Sequence, residues 1–86
     1  MFYHVESVKP LADLWLGVRF RNGVEKRYDV KPLLKQWKPF EALTHIEGLF
    51  EQVKVDQGGY GISWNDEIDL SCNELWEGGI PAAEIK

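Results

Sequence analysis

Reactive and metal-binding residues are scarce in this chain of 86 residues, which has one cysteine, Cys72, and two histidines, His4 and His45. A single cysteine excludes an internal disulfide, and these three residues show neither C-x-x-C nor H-x-x-x-H spacing, which argues against a zinc site. The acidic run Asn65-Asp66-Glu67-Ile68-Asp69 lacks the ligand spacing and central glycine of a calcium loop and reads as a polar turn. In that reading Asp66 shapes the corner and Asp69 satisfies amides at a helix entry. No phosphate-binding glycine loop is present. No apolar run approaches the ~18 residues of a membrane-spanning helix. The start Met1-Phe2-Tyr3-His4 lacks the basic and apolar regions of a signal peptide, so a reducing cytoplasm is expected. Catalysis, cofactors, metals and a small-molecule ligand are therefore not expected. His4 reads as a surface strand residue, and His45 as part of a capping box Thr44-His45-Ile46-Glu47.

What the chain does have is aromatic bulk: four Trp, three Tyr and four Phe. A domain this small buries only about 60 to 65% of its unfolded surface, so several of these rings must form the core. The formal charge of −4 is unevenly spread. Residues 1–38 hold eight Lys/Arg against four Asp/Glu, net +4, whereas residues 39–86 hold two against ten, net −8. The simplest account is a solvated surface on which the two halves intermingle. A dipolar surface that steers a charged partner is the sharper one.

Alternation is strongest where Leu14, Leu16, Val18 and Phe20 face Trp15, Gly17, Arg19 and Arg21 across a strand. Directly opposed residues share a sheet face, which decides the length of the turn that follows. A two-residue loop at Asn22-Gly23 would set Phe20, Val18 and Leu16 against Glu25, Arg27 and Asp29. A three-residue loop, Arg21-Asn22-Gly23, instead pairs Phe20 with Val24 and Leu16 with Tyr28, with Gly23 left-handed. The three-residue hairpin is predicted, with Lys26 opposite Val18 laying its stem over apolar surface.

Asp29 and Pro32 mark the start of a short helix, and Pro39 precedes irregular helical turns over residues 39–51. A second hairpin around Gln57-Gly58-Gly59 is expected to pair Val55 with Tyr60 and Val53 with Ile62. Ser71-Cys72-Asn73-Glu74 is a capping box flanked by a Leu70–Leu75 staple, and the helix ends at Gly78-Gly79. The expectation is an α+β fold: a single domain over residues 1–79, with an antiparallel sheet of two hairpins plus an N-terminal strand, short helices, and a tail over residues 80–86.

Pro10, Leu16, Phe20, Gly23, Tyr28-Asp29-Val30-Lys31-Pro32-Leu33-Leu34, Phe40, Leu43, Phe50, Trp64, Ile68-Asp69-Leu70 and Leu75 occur in an order that resembles the domain-of-unknown-function 2442 family of small bacterial proteins. The resemblance implies an α+β domain without established activity. Some relatives carry an appended helix-turn-helix or resemble members of toxin-antitoxin-like gene pairs. About nine residues follow the last capped helix here, so DNA binding through such an appendage is not carried over.

Two functions compete. In the first, Trp15, Arg19, Arg21 and Arg27 form a contact for another protein or for a second copy, making the chain a non-catalytic interaction module, either the partner of a neighbouring gene product or a homo-oligomeric adaptor. Trp15 points away from the apolar face and needs a cover, from Trp37 or the tail if not from a partner. In the second, the same basic face binds nucleic acid as part of a transcriptional regulator. The isoelectric point near 5.1 and the acids Glu25 and Asp29 on that face count against it.

Overall fold

The computed structural model describes residues 3–82. Strands β1 (Val5–Pro10), β2 (Trp15–Phe20) and β3 (Glu25–Asp29) lead through two short helices, α1 (Leu33–Gln36) and α2 (Ala42–His45), into strands β4 (Lys54–Val55), β5 (Gly61–Asn65) and β6 (Ile68–Ser71). Helix α3 (Cys72–Gly78) and a two-residue strand, β7 (Ile80–Pro81), follow. The α+β class is as expected, but the two hairpins lie in separate antiparallel sheets, ordered β1-β2-β3-β7 and β4-β5-β6. Among the described residues no helix is long and apolar enough to cross a membrane.

The first hairpin has the register that its pattern demands. Leu16 pairs with Tyr28 and Val18 with Lys26, and the Phe20 amide donates to the Val24 carbonyl at 2.9 Å across the three-residue loop. Gly23 sits at φ +90°, the left-handed position that a Cβ disfavours. Lys26, the charged member of the inner face, donates from Nζ to the Trp76 carbonyl at 2.6 Å and lies 4.0 Å from the Trp76 ring centroid. Leu16, Val18 and Phe20 are buried as expected. Leu14 is not part of this strand. It and Asp13 form a tight turn at φ 62° and 61°, which costs roughly 1–2 kcal/mol per non-glycine residue. Lys31 ties the turn down, donating to the Asp13 carbonyl at 2.9 Å while its ammonium lies 2.9 Å from the Asp29 carboxylate.

The second hairpin pairs Val55 with Ile62 and Lys54 with Ser63, a shift of two residues from the expected register. Its loop is longer because Gly58 and Gly59 both take positive φ, and the Asp56 amide closes onto the Gly61 carbonyl at 2.9 Å. Tyr60 is thereby expelled from the ladder and is 68% exposed. The loop docks one sheet on the other. A Cβ on Gly59 would stand 2.7 Å from the Val5 carbonyl, and His4 Nδ1 meets the Gly58 carbonyl at 3.0 Å.

Ile68 to Ser71, expected as a turn and helix entry, form a strand with Ile68 and Leu70 buried and Asp69 turned outward. The corner belongs to Asn65, whose side-chain oxygen accepts from the Glu67 and Ile68 amides at 2.9 and 3.0 Å, not to Asp66 or Asp69. Ser71 caps α3 as its pattern predicts, accepting from the Glu74 amide at 3.0 Å, and Leu70 and Leu75 are buried beside it. Thr44 opens no helix: its hydroxyl donates to the Glu41 carbonyl at 2.8 Å and α2 ends at His45. Asp29 accepts from the Lys31 amide at 3.0 Å ahead of Pro32 and α1. Residues 39–51 are irregular, with 3-10 turns at Lys38–Glu41 and Phe50–Gln52.

The core lies between the two sheets and the helices. Leu16, Phe20, Val30, Ile62 and Leu75 are completely buried. Trp64 sits between the rings of Phe40 and Phe50 and donates its indole N–H to the Phe50 carbonyl at 3.0 Å, so its polar atom is satisfied. Trp76 stacks on Tyr3 at 3.7 Å and meets Phe20 edge-on. Ile80 and Pro81 pair with Arg27 and Lys26, so this part of the expected tail is sheet, while residues 83–86 lie outside the described residues.

Candidate interaction surface

The outer face of the four-stranded sheet carries the charge pattern that the alternation places there. Antiparallel sheets tolerate one wet face, and here the outward set includes Ser7 and Lys9 from β1, Gly17 and Arg19 from β2, and Glu25 and Arg27 from β3. Gly17 leaves a hollow of about 330 Å3 at the centre of this face, lined by Lys9, Leu11, Gly17, Arg19, Arg27 and Ala82 among others. Leu11 lies close to the floor: a Cβ on Gly17 would touch its Cδ1 at 3.5 Å.

The four residues singled out from the sequence separate into three places. Arg19 and Arg27 line the hollow, from neighbouring strands. Arg19 is engaged within the chain, 2.6 Å from Glu25 and 3.8 Å from Glu6, both partly exposed pairs of small energetic weight. Arg27 stands opposite Gly17, exposed, and makes no ion pair among the described residues. Arg21 lies at the hairpin tip, where its amide donates to the His4 carbonyl at 2.9 Å. Trp15 is about 20 Å away at the other end of β2, at the strand rise of ~3.3 Å per residue.

Trp15 is half-buried, and part of its cover comes from Lys31. Lys31 Nζ lies 5.2 Å from the indole centroid, held there by Asp29 and Asp13. The hydrogen bond to Asp29 pushes the Lys31 ammonium above the usual lysine range, which keeps the cation charged over the ring. Lys9 went unnoticed in the sequence. A bulge between Val5 and Ser7 breaks the alternation of β1, so only the register with β2 shows that Lys9 stands opposite Gly17.

Strands β1 to β3 mix the two signs, Lys9, Arg19, Lys26 and Arg27 beside Glu6, Glu25 and Asp29, whereas the β5–β6 turn with Asp66 and Glu67, Asp69 on β6 and Glu77 on α3 are acidic. Reactive groups lie elsewhere. Cys72 is buried and donates to the Tyr3 carbonyl at 3.0 Å, and burial pushes its thiol up, away from the nucleophilic thiolate. His4 has the Gly58 carbonyl as its partner, and His45 is exposed at the end of α2. Among the described residues no group of three or more His, Cys, Asp or Glu is placed to hold a metal ion.

Fold and surface together define a small α+β domain with one open, polar sheet face. The family model for proteins of unknown function DUF2442 matches residues 5–81, nearly the whole chain, and the protein belongs to that family. Neither the curated proteins nor the solved structures include a match to it.

Proposed function

We propose that the chain is a non-catalytic protein-interaction module that takes its partner on the outer face of the four-stranded sheet. The observation that carries this reading is the hollow over Gly17, flanked by Lys9 and Arg27, two cations without an ion pair among the described residues. A partner that lays an apolar side chain on Leu11 and Gly17 and acidic groups beside Lys9 and Arg27 would complement it in shape and charge. Trp15 at the edge supplies an aromatic anchor, and Trp with Arg is the pairing that most often dominates interface energetics. The partner is the product of a neighbouring gene, as in toxin-antitoxin-like pairs, or a second copy in a homo-oligomeric adaptor.

Native co-purification, identification of the partner by mass spectrometry, and light scattering of the purified chain test this. Trp15→Ala and Arg27→Glu are each expected to weaken the complex by about 2 kcal/mol, some 30-fold in Kd, without unfolding the chain. Unchanged partner affinity and unchanged oligomeric mass in the Trp15→Ala, Arg27→Glu double variant would remove the reading.

A further inference from the structure

We propose a second docking site, bordering the sheet face at β7 but with its own lining: the groove between α1 and α3 receives an extended peptide segment of another protein, with an arginine flanked by aliphatic residues. The groove has a volume of about 450 Å3 and is lined by Tyr28, Pro32, Leu33, Trp37, Glu74 and Ile80 among others. Two large apolar side chains that the fold leaves in water, Trp37 at 50% and Ile80 at 41% exposure, stand on this one groove. Trp37 packs on Phe40 with centroids 5.7 Å apart, which orders the indole without covering it. Clustered exposure of this kind marks interaction surfaces more often than scattered exposure does.

Charge selects the occupant. No lysine or arginine lines the groove, and two carboxylates do. Asp29 is neutralised by Lys31 at 2.9 Å. Glu74 is not: its Oε2 accepts the Tyr28 hydroxyl at 2.7 Å, and no cation pairs with it among the described residues. Burial, with the adjacent Glu74 carboxylate, pushes the Tyr28 phenol well above its ordinary range, so the phenol remains a neutral hydrogen-bond donor to that carboxylate. Gly78 keeps the wall close to this pair, since a Cβ there would stand 2.9 Å from the Tyr28 ring and 3.2 Å from Glu74 Oε2. An arginine fits better than a lysine because a planar guanidinium both pairs with a carboxylate and stacks on an indole. The aliphatic neighbours of that arginine would cover Pro32, Leu33 and Ile80. A polyanion such as nucleic acid is disfavoured by the same carboxylates.

The test is a titration of the isotope-labelled chain with acetyl-Gly-Leu-Arg-Leu-Gly-amide, read from the Trp37 indole N–H and the Gly78 and Ile80 amides. The citrulline peptide, neutral and of equal shape, is the control. The arginine peptide is expected to shift these resonances and to bind about fivefold more tightly than the citrulline peptide, the upper end for a part-exposed ion pair. Glu74→Gln, which keeps an acceptor for Tyr28, equalises the two peptides, and Trp37→Ala weakens both. Absence of shifts at these three groups, or equal affinity of the two peptides for the unmodified chain, overturns the proposal. So does a concentration-dependent dimer in sedimentation that Trp37→Ala abolishes, because it places a second copy in the groove. Retention of sheet-face partner binding by Trp37→Ala separates failure here from failure of the sheet-face reading.

Discussion

Single side chains in this domain do chemistry that their identity alone does not announce. Tyr28 is the clearest case, an inward strand residue whose hydroxyl must be satisfied once buried and finds Glu74 at 2.7 Å, on a helix 46 positions away. Its phenol is shifted upward by burial first and by Glu74 second. The folded chain therefore holds this proton above the unfolded value near 10, where an unfolded chain has begun to release it. Stability from this group is complete below about pH 10 and falls as pH rises beyond it. Tyr28→Phe is expected to cost about 1 kcal/mol at neutral pH and to flatten the alkaline loss of stability, both read by urea denaturation between about pH 8 and 11. Equal alkaline slopes in the two chains would show that Tyr28 carries no such linkage. Lys26 and Lys31 make the same point: each is held over an indole and hydrogen-bonded to a main-chain carbonyl.

Elements are short, and their turns carry an unusual share of the information. The first hairpin is legible because a wrong loop length would bury charge along the whole ladder, so the pattern selects one register. In the second hairpin nothing in the pattern penalises a shift of two, since the inward set keeps its face. Gly58 and Gly59 then decide the loop by adopting positive φ against Val5. Two glycine substitutions separate backbone strain from collision. Gly23→Ala meets no atom within 4 Å and is expected to cost only the left-handed penalty, about 1 kcal/mol. Gly59→Ala adds a Cβ at 2.7 Å from the Val5 carbonyl and is expected to cost more, about 3 kcal/mol. Denaturant midpoints for the pair check this, and equal losses would mean that the loop does not press on β1.

At the scale of the molecule, a chain with a Cα radius of gyration of 12.1 Å gathers Lys9 and Arg27 on the open face of one sheet, on either side of Gly17. If the outer sheet face takes an acidic partner, association should weaken with ionic strength, because exposed charges are screened beyond about 8–10 Å at physiological salt. We expect the association rate to fall several-fold between about 50 and 300 mM salt, and the dependence to be shallower in Arg27→Glu, measured by stopped flow once the partner is in hand. A rate indifferent to salt would leave Lys9 and Arg27 without the steering role assigned to them.

Local rules reached the alternation of β2 and β3, the three-residue loop, the Ser71 cap and the α+β class, because each depends on residues within a few positions of one another. The division of strands between two sheets, β6 as a strand, the pairing of Ile80 and Pro81 with β3, and the cover over Trp15 escaped them. Those features are set by contacts between distant segments, where pattern permits several arrangements and only packing selects one. The candidate surface divides along the same line: alternation placed Trp15, Arg19 and Arg27 on the outer face, while the register of β1 against β2 brought Lys9 to Gly17 and opened the hollow between them.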